Sequence, residues 1–272
     1  MGKIRILSTG FLVCLLALPC CSGVKTSEIV IAKTVFELTQ VKSYQLDTDF
    51  IDKFNSSEYK GTKIVDISDK EMESNMAIIM GLSPAINVSD EMYFMSGVDY
   101  SETISEENTP QTIGWTKTQL TDDSWNQQTQ LPILAELLKS TTKYSSLEIA
   151  QLNNIDYYVL TVIPSAQASV DFVLSQEQPG GPSYDTGGID HTLVGTDTYK
   201  SGSVELWINQ NSYLPIKVEV KVDFRGSLLG GFVTVTPNTS NIVDWSFQGD
   251  LDFSNYNQPV SIQVPQAALN AQ

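Results

Sequence analysis

Few residues of this 272-residue chain have the type and spacing to do chemistry. His191 is the single histidine; it follows Asp190 and has serines nearby, so a serine–histidine–aspartate hydrolase can be imagined. No Gly-x-Ser-x-Gly elbow accompanies it, and no Gly-rich loop is present to cradle a phosphate. Asp47 and Asp49 share one strand face, as do Asp250 and Asp252. Either pair could touch calcium, or work as paired carboxylates on a glycosidic bond. Neither has the Asp-x-Asp-x-Asp-Gly loop spacing, and 32 acidic residues make some pairing inevitable, so both pairs are read as solvated strand faces. One histidine, and no cysteine beyond residue 21, leave too few ligands for zinc. We therefore expect no catalytic residue, no metal and no cofactor, and read the chain as a non-enzyme.

The chemistry that remains is at the N-terminus. Met1 to Arg5 carries Lys3 and Arg5, and Ile6 to Leu18 is mostly apolar. That is the charged-then-apolar pattern of a signal peptide, too short for a stable membrane span. Leu18-Pro19-Cys20-Cys21-Ser22-Gly23 then resembles a bacterial lipobox, with Leu18 in the aliphatic slot, Cys20 in the small-residue slot and Cys21 as the acylated new N-terminus. Cutting before Cys20 would put Pro19 at the cut and Ala17 in the aliphatic slot, a poorer match. Acyl chains such as palmitate, at about 0.8 kcal/mol per buried methylene, hold a domain firmly at a bilayer. The expectation is a leader over 1–20, a lipidated tether over 21–27, and an extracytoplasmic location on the cell membrane of a prokaryote. No later stretch approaches the ~18 consecutive apolar residues of a span.

The net charge is −16, and losing Lys3 and Arg5 with the leader takes it to −18. So acidic a surface repels phosphate backbones, which argues against nucleic-acid binding. The remaining residues, 28–272, are enough for one domain whose core needs no disulfide.

The elements follow from periodicity. Ile31, Val35 and Leu38 recur at helical spacing within Glu28 to Lys42. Tyr44 to Phe50 alternates cleanly, and Lys63 to Ser68, Asn75 to Gly81, Met92 to Val98 and Thr112 to Leu120 read as further strands. Leu82 to Ser89 and Ser105 to Pro110 read as turns. Asp122 to Ser124 could cap a helix, which the Leu131, Leu134 and Leu138 face and Pro132 place at about Leu131 to Thr142. Strands Leu147 to Leu152 and Asp156 to Ile163 flank an Asn153-Asn154 turn. Ala166 to Ser175 reads as a short helix, and Glu177 to Gly188, rich in Gly and Pro, as a mobile loop. Val204 to Ile208 and Ile216 to Phe224 alternate on either side of an Asn209 to Leu214 turn, and Trp245 to Phe253 alternates again.

One segment carries a resemblance. Glu205-Leu206-Trp207-Ile208-Asn209-Gln210-Asn211-Ser212-Tyr213-Leu214-Pro215-Ile216-Lys217 resembles the strand, Trp-Ile-Asp/Asn, turn, Leu-Pro-x-Lys, strand hairpin of LolA/LolB-like carriers and LppX/LprG-like lipoproteins. A helix running into Lys42-Ser43-Tyr44, the Trp115-Thr116-Lys117 strand and the end near Val264-Pro265 fit the same pattern. The resemblance implies an α+β fold: a strongly curved, incomplete antiparallel β-barrel with helices packed as a lid on its concave face. It also implies binding of lipid or acyl chains, and transport of lipids or lipoproteins between membranes. The long acidic inserts and the Glu177 to Gly188 loop depart from the carriers.

Leu131, Leu134, Leu138, Trp207, Trp245 and Phe247 are the candidate ligand-lining residues, although such residues also fill ordinary β cores. The expected partners are a lipid or acylated ligand and, through Cys21, the membrane, with the chain itself a monomer. The alternative is a surface adhesion or scaffold module with a packed interior and no ligand.

Overall fold

The computed structural model describes residues 25–54, 57–68, 71–80, 86–107, 109–119, 129–177, 198–227 and 242–271. The leader and Cys21, the cap candidates at 122–124, His191, and most of the loop read from Glu177 lie outside the described residues.

Alternation of apolar and polar side chains marks most of the strands, and the described residues form one antiparallel sheet of 12 strands that does not close. The strands are β1 (Ser43–Phe54), β2 (Ser57–Ser68), β3 (Glu71–Met80), β4 (Ile86–Met95), β5 (Val98–Glu107), β6 (Thr109–Gln119), β7 (Lys143–Tyr144), β8 (Glu148–Leu152), β9 (Ile155–Ile163), β10 (Tyr199–Asn209), β11 (Pro215–Ser227) and β12 (Ile242–Ser254). Their order is β6-β5-β4-β3-β2-β1-β12-β11-β10-β9-β7, with β8 also paired to β9. Two up-and-down meanders thus meet where the first and last strands pair, Leu46 opposite Phe253. Among the described residues four helices accompany the sheet: α1 (Ser27–Leu38), α2 (Gln130–Lys139), α3 (Ala166–Glu177) and α4 (Gln266–Leu269).

Local chemistry sets the turns. Asn153 and Asn154, both at positive φ, link β8 to β9 in two residues, and Ser96-Gly97 does the same between β4 and β5. In the β10–β11 turn the Asn209 side-chain oxygen accepts from the backbone N–H groups of Asn211 and Ser212. Thr26 caps α1, its hydroxyl accepting from the Ile29 N–H. Pro132 falls in the first turn of α2, where its missing N–H costs nothing.

The sequence reading differs from the fold in several places, among them the strand read over Met92 to Val98, which is broken by the Ser96-Gly97 turn. Of the segment read as a turn over Ser105 to Pro110, Ser105 to Glu107 belong to β5 and Thr109 and Pro110 to β6, and β4 begins inside the turn read over Leu82 to Ser89. β5 has no clean apolar face of its own, and pairing on both sides makes it a strand. The helices read over Glu28 to Lys42 and Leu131 to Thr142 stop earlier, α1 at Leu38 and α2 at Lys139.

One face of the sheet, the inner face, carries the core. Val204, Leu206 and Ile208 of β10, Val218, Val220 and Val222 of β11, Phe247 and Leu251 of β12, and Leu46 and Phe50 of β1 are all buried there with residues of α1, α2 and α3. Each such side chain contributes roughly 1.5–3 kcal/mol on leaving water. Gly61 is where the Phe50 ring lies: a Cβ there would come within 2.0 Å of it. A smaller cluster forms on the outer face, where Ile262 and Ala268 near the C-terminus cover Tyr93 and Tyr100.

Candidate functional site

Helices α1, α2 and α3 pack on the apolar part of the inner face. α1 packs on α2, α2 on α3, and α3 on β10. α3 comes close to its strand at Gly202, where an added Cβ would lie 3.1 Å from the Ser169 hydroxyl. Leu131, Leu134, Leu137 and Leu138 of α2 and Val170, Phe172 and Val173 of α3 point into the same cluster as the sheet residues.

Polar contacts fix the layer at one end. The Gln130 backbone N–H, at the start of α2, donates to the buried Tyr44 hydroxyl of β1 at 3.1 Å. The Gln176 amide of α3 donates to the Gln130 side-chain oxygen at 2.5 Å, both groups being buried. Burial pushes the Tyr44 hydroxyl well above its ordinary range, so it stays a neutral partner.

Five of the six candidate lining residues come together on the inner face. Leu131, Leu134, Leu138, Trp245 and Phe247 are buried in one cluster, with Phe172 edge-on to Phe247 at 6.4 Å. Trp207 does not join them. It lies between Leu206 and Ile208 on β10, so the strand's period of two turns it to the outer face. There its indole N–H donates to Glu205 at 3.1 Å and its ring lies 6.5 Å from that of Tyr157. Trp245 stacks on Phe224 at 4.4 Å, but its buried indole N–H has no partner. Both rings border an open cleft of about 230 Å³ that also meets Lys53 and Lys200.

Sequence reasoning missed a polar seam on the same face. Pairing sets Thr48, Lys63, Met76, Asp90 and Thr103 in one row across β1 to β5. Leu46, Val65, Ser74 and Met92 make the next row, and Asp99 sits opposite Phe94. Lys63 is only 3 % exposed. Among the described residues no ion pair involves Lys63, Asp52, Asp90 or Asp99. Burial pulls the Lys63 ammonium down to about 8 and pushes the Asp52 and Asp99 carboxyls up to about 7. Asp90 is also raised by burial, against a hydrogen bond from Thr103. Thr48, Asp52, Ser74, Asp90 and Asp99 each present a buried side-chain oxygen without a hydrogen-bond partner. The signal was present in the alternation: Lys63 is in phase with Val65 and Ile67, and Thr48 and Asp52 with Leu46 and Phe50.

The carboxylates singled out in the sequence sit elsewhere. Asp47 and Asp49 face outward opposite Asp252 and Asp250. Among the described residues no group of three or more metal-ligating side chains is placed to hold an ion, and no helix is long and apolar enough to cross a membrane.

No family model matches the chain, and no curated protein matches it. Among solved structures it is similar to the lipoprotein LppX of Mycobacterium tuberculosis, at 13% identity over 87% of this chain and 100% of that one, with a TM-score of 0.39. It is similar to LprF of Mycobacterium bovis at 8% identity over 87% and 95% of the two chains, TM-score 0.45. A LolA superfamily protein of Nitrosomonas europaea aligns at 14% identity over 88% and 96%, TM-score 0.22.

Proposed function

We propose that the chain is an exported protein, anchored through Cys21, whose domain over 28–272 binds a hydrophobic ligand between α1–α3 and the inner face of the sheet. The observation that carries this reading is a row of buried polar side chains on the inner face, in which Thr48, Asp52, Ser74, Asp90 and Asp99 each keep one oxygen without a hydrogen-bond partner. A finished structural core leaves few buried polar atoms unsatisfied, because each costs about 1–3 kcal/mol. Here five of the eleven such atoms among the described residues lie on the inner face of β1 and β3 to β5, on the side of the sheet that carries Lys63 and the methionines Met72, Met76 and Met92, whose flexible side chains adapt to irregular apolar shapes. Such a surface suits an amphiphile: acyl chains against the leucines and methionines, polar atoms against the seam. The helix layer acts as the lid, and burial of apolar area, at roughly 25 cal/mol per Å² before association costs, supplies the affinity.

A second reading has its own observation. Leu134, Leu138, Phe172 and Phe247 are almost wholly buried against one another, as in an anchored surface module with a packed interior and no ligand. Native mass spectrometry of the domain purified from Ser22 onward separates the two. A stoichiometric acyl-chain ligand, released by organic solvent, is the expected result. A clean protein mass with no uptake of a fluorescent fatty acid overturns lipid binding and leaves the packed module.

A further inference from the structure

α1 has an outer face that is not wet. Its inner stripe, Val30, Ile31 and Leu38, is buried, yet Ile29 and Phe36 on the other side are 48% and 62% exposed, with Lys33 between them at helical spacing. A helix whose back faces only water has no use for that second stripe.

The same end of the molecule exposes more apolar surface. The β8–β9 turn is flanked by Leu152 and Ile155, and Ile149, 69% exposed, sits opposite Tyr158. Pairing of Asn209 with Tyr157 puts the β10–β11 turn beside the start of β9. Two lysines tie α1 to this end. Lys25 donates to the Tyr158 hydroxyl at 2.5 Å and lies 5.0 and 5.3 Å from the Tyr158 and Tyr213 rings. Lys33 is 4.6 Å from the Tyr213 ring.

We propose that this end, the outer side of α1 with the β8–β9 and β10–β11 turns, rests on the lipid bilayer. Ile29, Phe36, Ile149 and the turn residues enter the head-group boundary, and Lys25 and Lys33 reach lipid phosphates. Tyrosine rings with lysines beside exposed apolar residues are the composition of an interfacial surface. The occupant follows from chain length. Cys21 precedes Lys25 by four residues, which span at most about 14 Å. If Cys21 is acylated, Lys25 is held within that reach of the membrane. Glu28 and Glu37 belong to the same helix, so phosphates are met by two local cations and not by a net positive face. The inference rests on the anchor and is independent of any interior ligand.

The test uses the acylated chain in vesicles of phosphatidylcholine and phosphatidylglycerol, with its intact mass confirming the lipid on Cys21. Cys21 is then blocked, so Phe36→Cys and Ile149→Cys each supply one free thiol for an environment-sensitive dye. Lys60→Cys, near the opposite ends of β1 and β2, is the control. The expected result is a blue shift and quenching by brominated lipid at 36 and 149, absent at 60, and reduced at least several-fold when Lys25 and Lys33 are both changed to Glu. Equal quenching at all three positions, or none at 36 and 149, overturns the proposal. Protection at 36 and 149 that requires a higher density of the chain also overturns it, in favour of a second copy covering the face.

Discussion

Lys63 and Asp52 bear opposite charges on the same inner face, yet no ion pair joins them, and burial weakens both ionised forms. The consequences for stability have opposite signs. Asp52 is raised from 3.8 to about 7, so the folded state holds its proton more tightly than the unfolded chain does. The contribution of Asp52 to stability is therefore greatest at acid pH and falls as pH rises from about 4 through about 7. Lys63 is lowered from 10.5 to about 8, so its penalty is full below pH 8 and is relieved between 8 and 10.5. We predict that Asp52→Asn removes much of the stability lost between pH 4 and 7, on the order of 2–4 kcal/mol. Urea unfolding across that range checks it, and parallel curves for the two proteins contradict it. Lys63→Met is predicted to raise stability at pH 7 by about 1–3 kcal/mol while weakening ligand retention several-fold, because the seam would lose its cation. A variant that is more stable and binds equally well would make Lys63 a burden without a role in binding.

At the scale of elements, the first and last strands pair through an unfavourable charge pattern. Asp47 faces Asp252 and Asp49 faces Asp250 across the β1–β12 seam, and the Asp252 carboxyl is raised by partial burial and by Asp250, Asp47 and Asp49, while Lys217 lowers it. Lys217 and Lys221 of β11 are engaged with Glu219 at 2.8 and 3.8 Å. Like charges directly opposite destabilise a sheet by a few tenths to about 1 kcal/mol per pair. Asp49→Lys is expected to stabilise the fold by about 0.5–1 kcal/mol, and added salt should then stabilise the variant less than the parent. Denaturation midpoints with and without 0.5 M salt, about a 4 Å Debye length, decide it. The alternation that puts these aspartates outward is also what made β1, β10, β11 and β12 legible in the sequence, since each strand has one apolar and one wet face. β5 was not legible, because its Ser, Thr and Glu residues gain their strand state from β4 and β6 rather than from any pattern of their own. The candidate site divides the same way. Leu134, Leu138 and Phe247 followed from amphipathic spacing, and Trp207 was misplaced when aromatic character was weighed above the strand's phase. Lys63 was passed over because a lysine in a strand is ordinarily solvated, although its phase with Val65 and Ile67 pointed inward and the pairing with Thr48 and Met76 bears that out.

At the scale of the whole molecule, α1 to α3 lie over the apolar part of the inner face of an unclosed sheet, so on the proposed reading uptake of a ligand requires part of that layer to lift. Apolar contact holds α1 to α3 down over their length, but the start of α2 is also held by directional bonds, from the Gln130 N–H to Tyr44 and from Gln176 to Gln130. Removing the Tyr44 hydroxyl leaves the apolar ring in place, 6.0 Å from Phe253, and strips one helix N–H of its acceptor. Such a loss costs about 1–2 kcal/mol, which falls on the lifted-versus-closed equilibrium if α2 is the moving part. Tyr44→Phe is therefore expected to speed uptake of a fluorescent fatty acid by roughly tenfold, since 1.4 kcal/mol is a factor of ten, with the final stoichiometry unchanged. Stopped-flow uptake beside equilibrium unfolding separates the cases. Faster uptake with lowered stability places the gate at the start of α2. Lowered stability with unchanged uptake means that this end stays seated during exchange, and that the opening lies instead at α1 or at the α3–β10 contact.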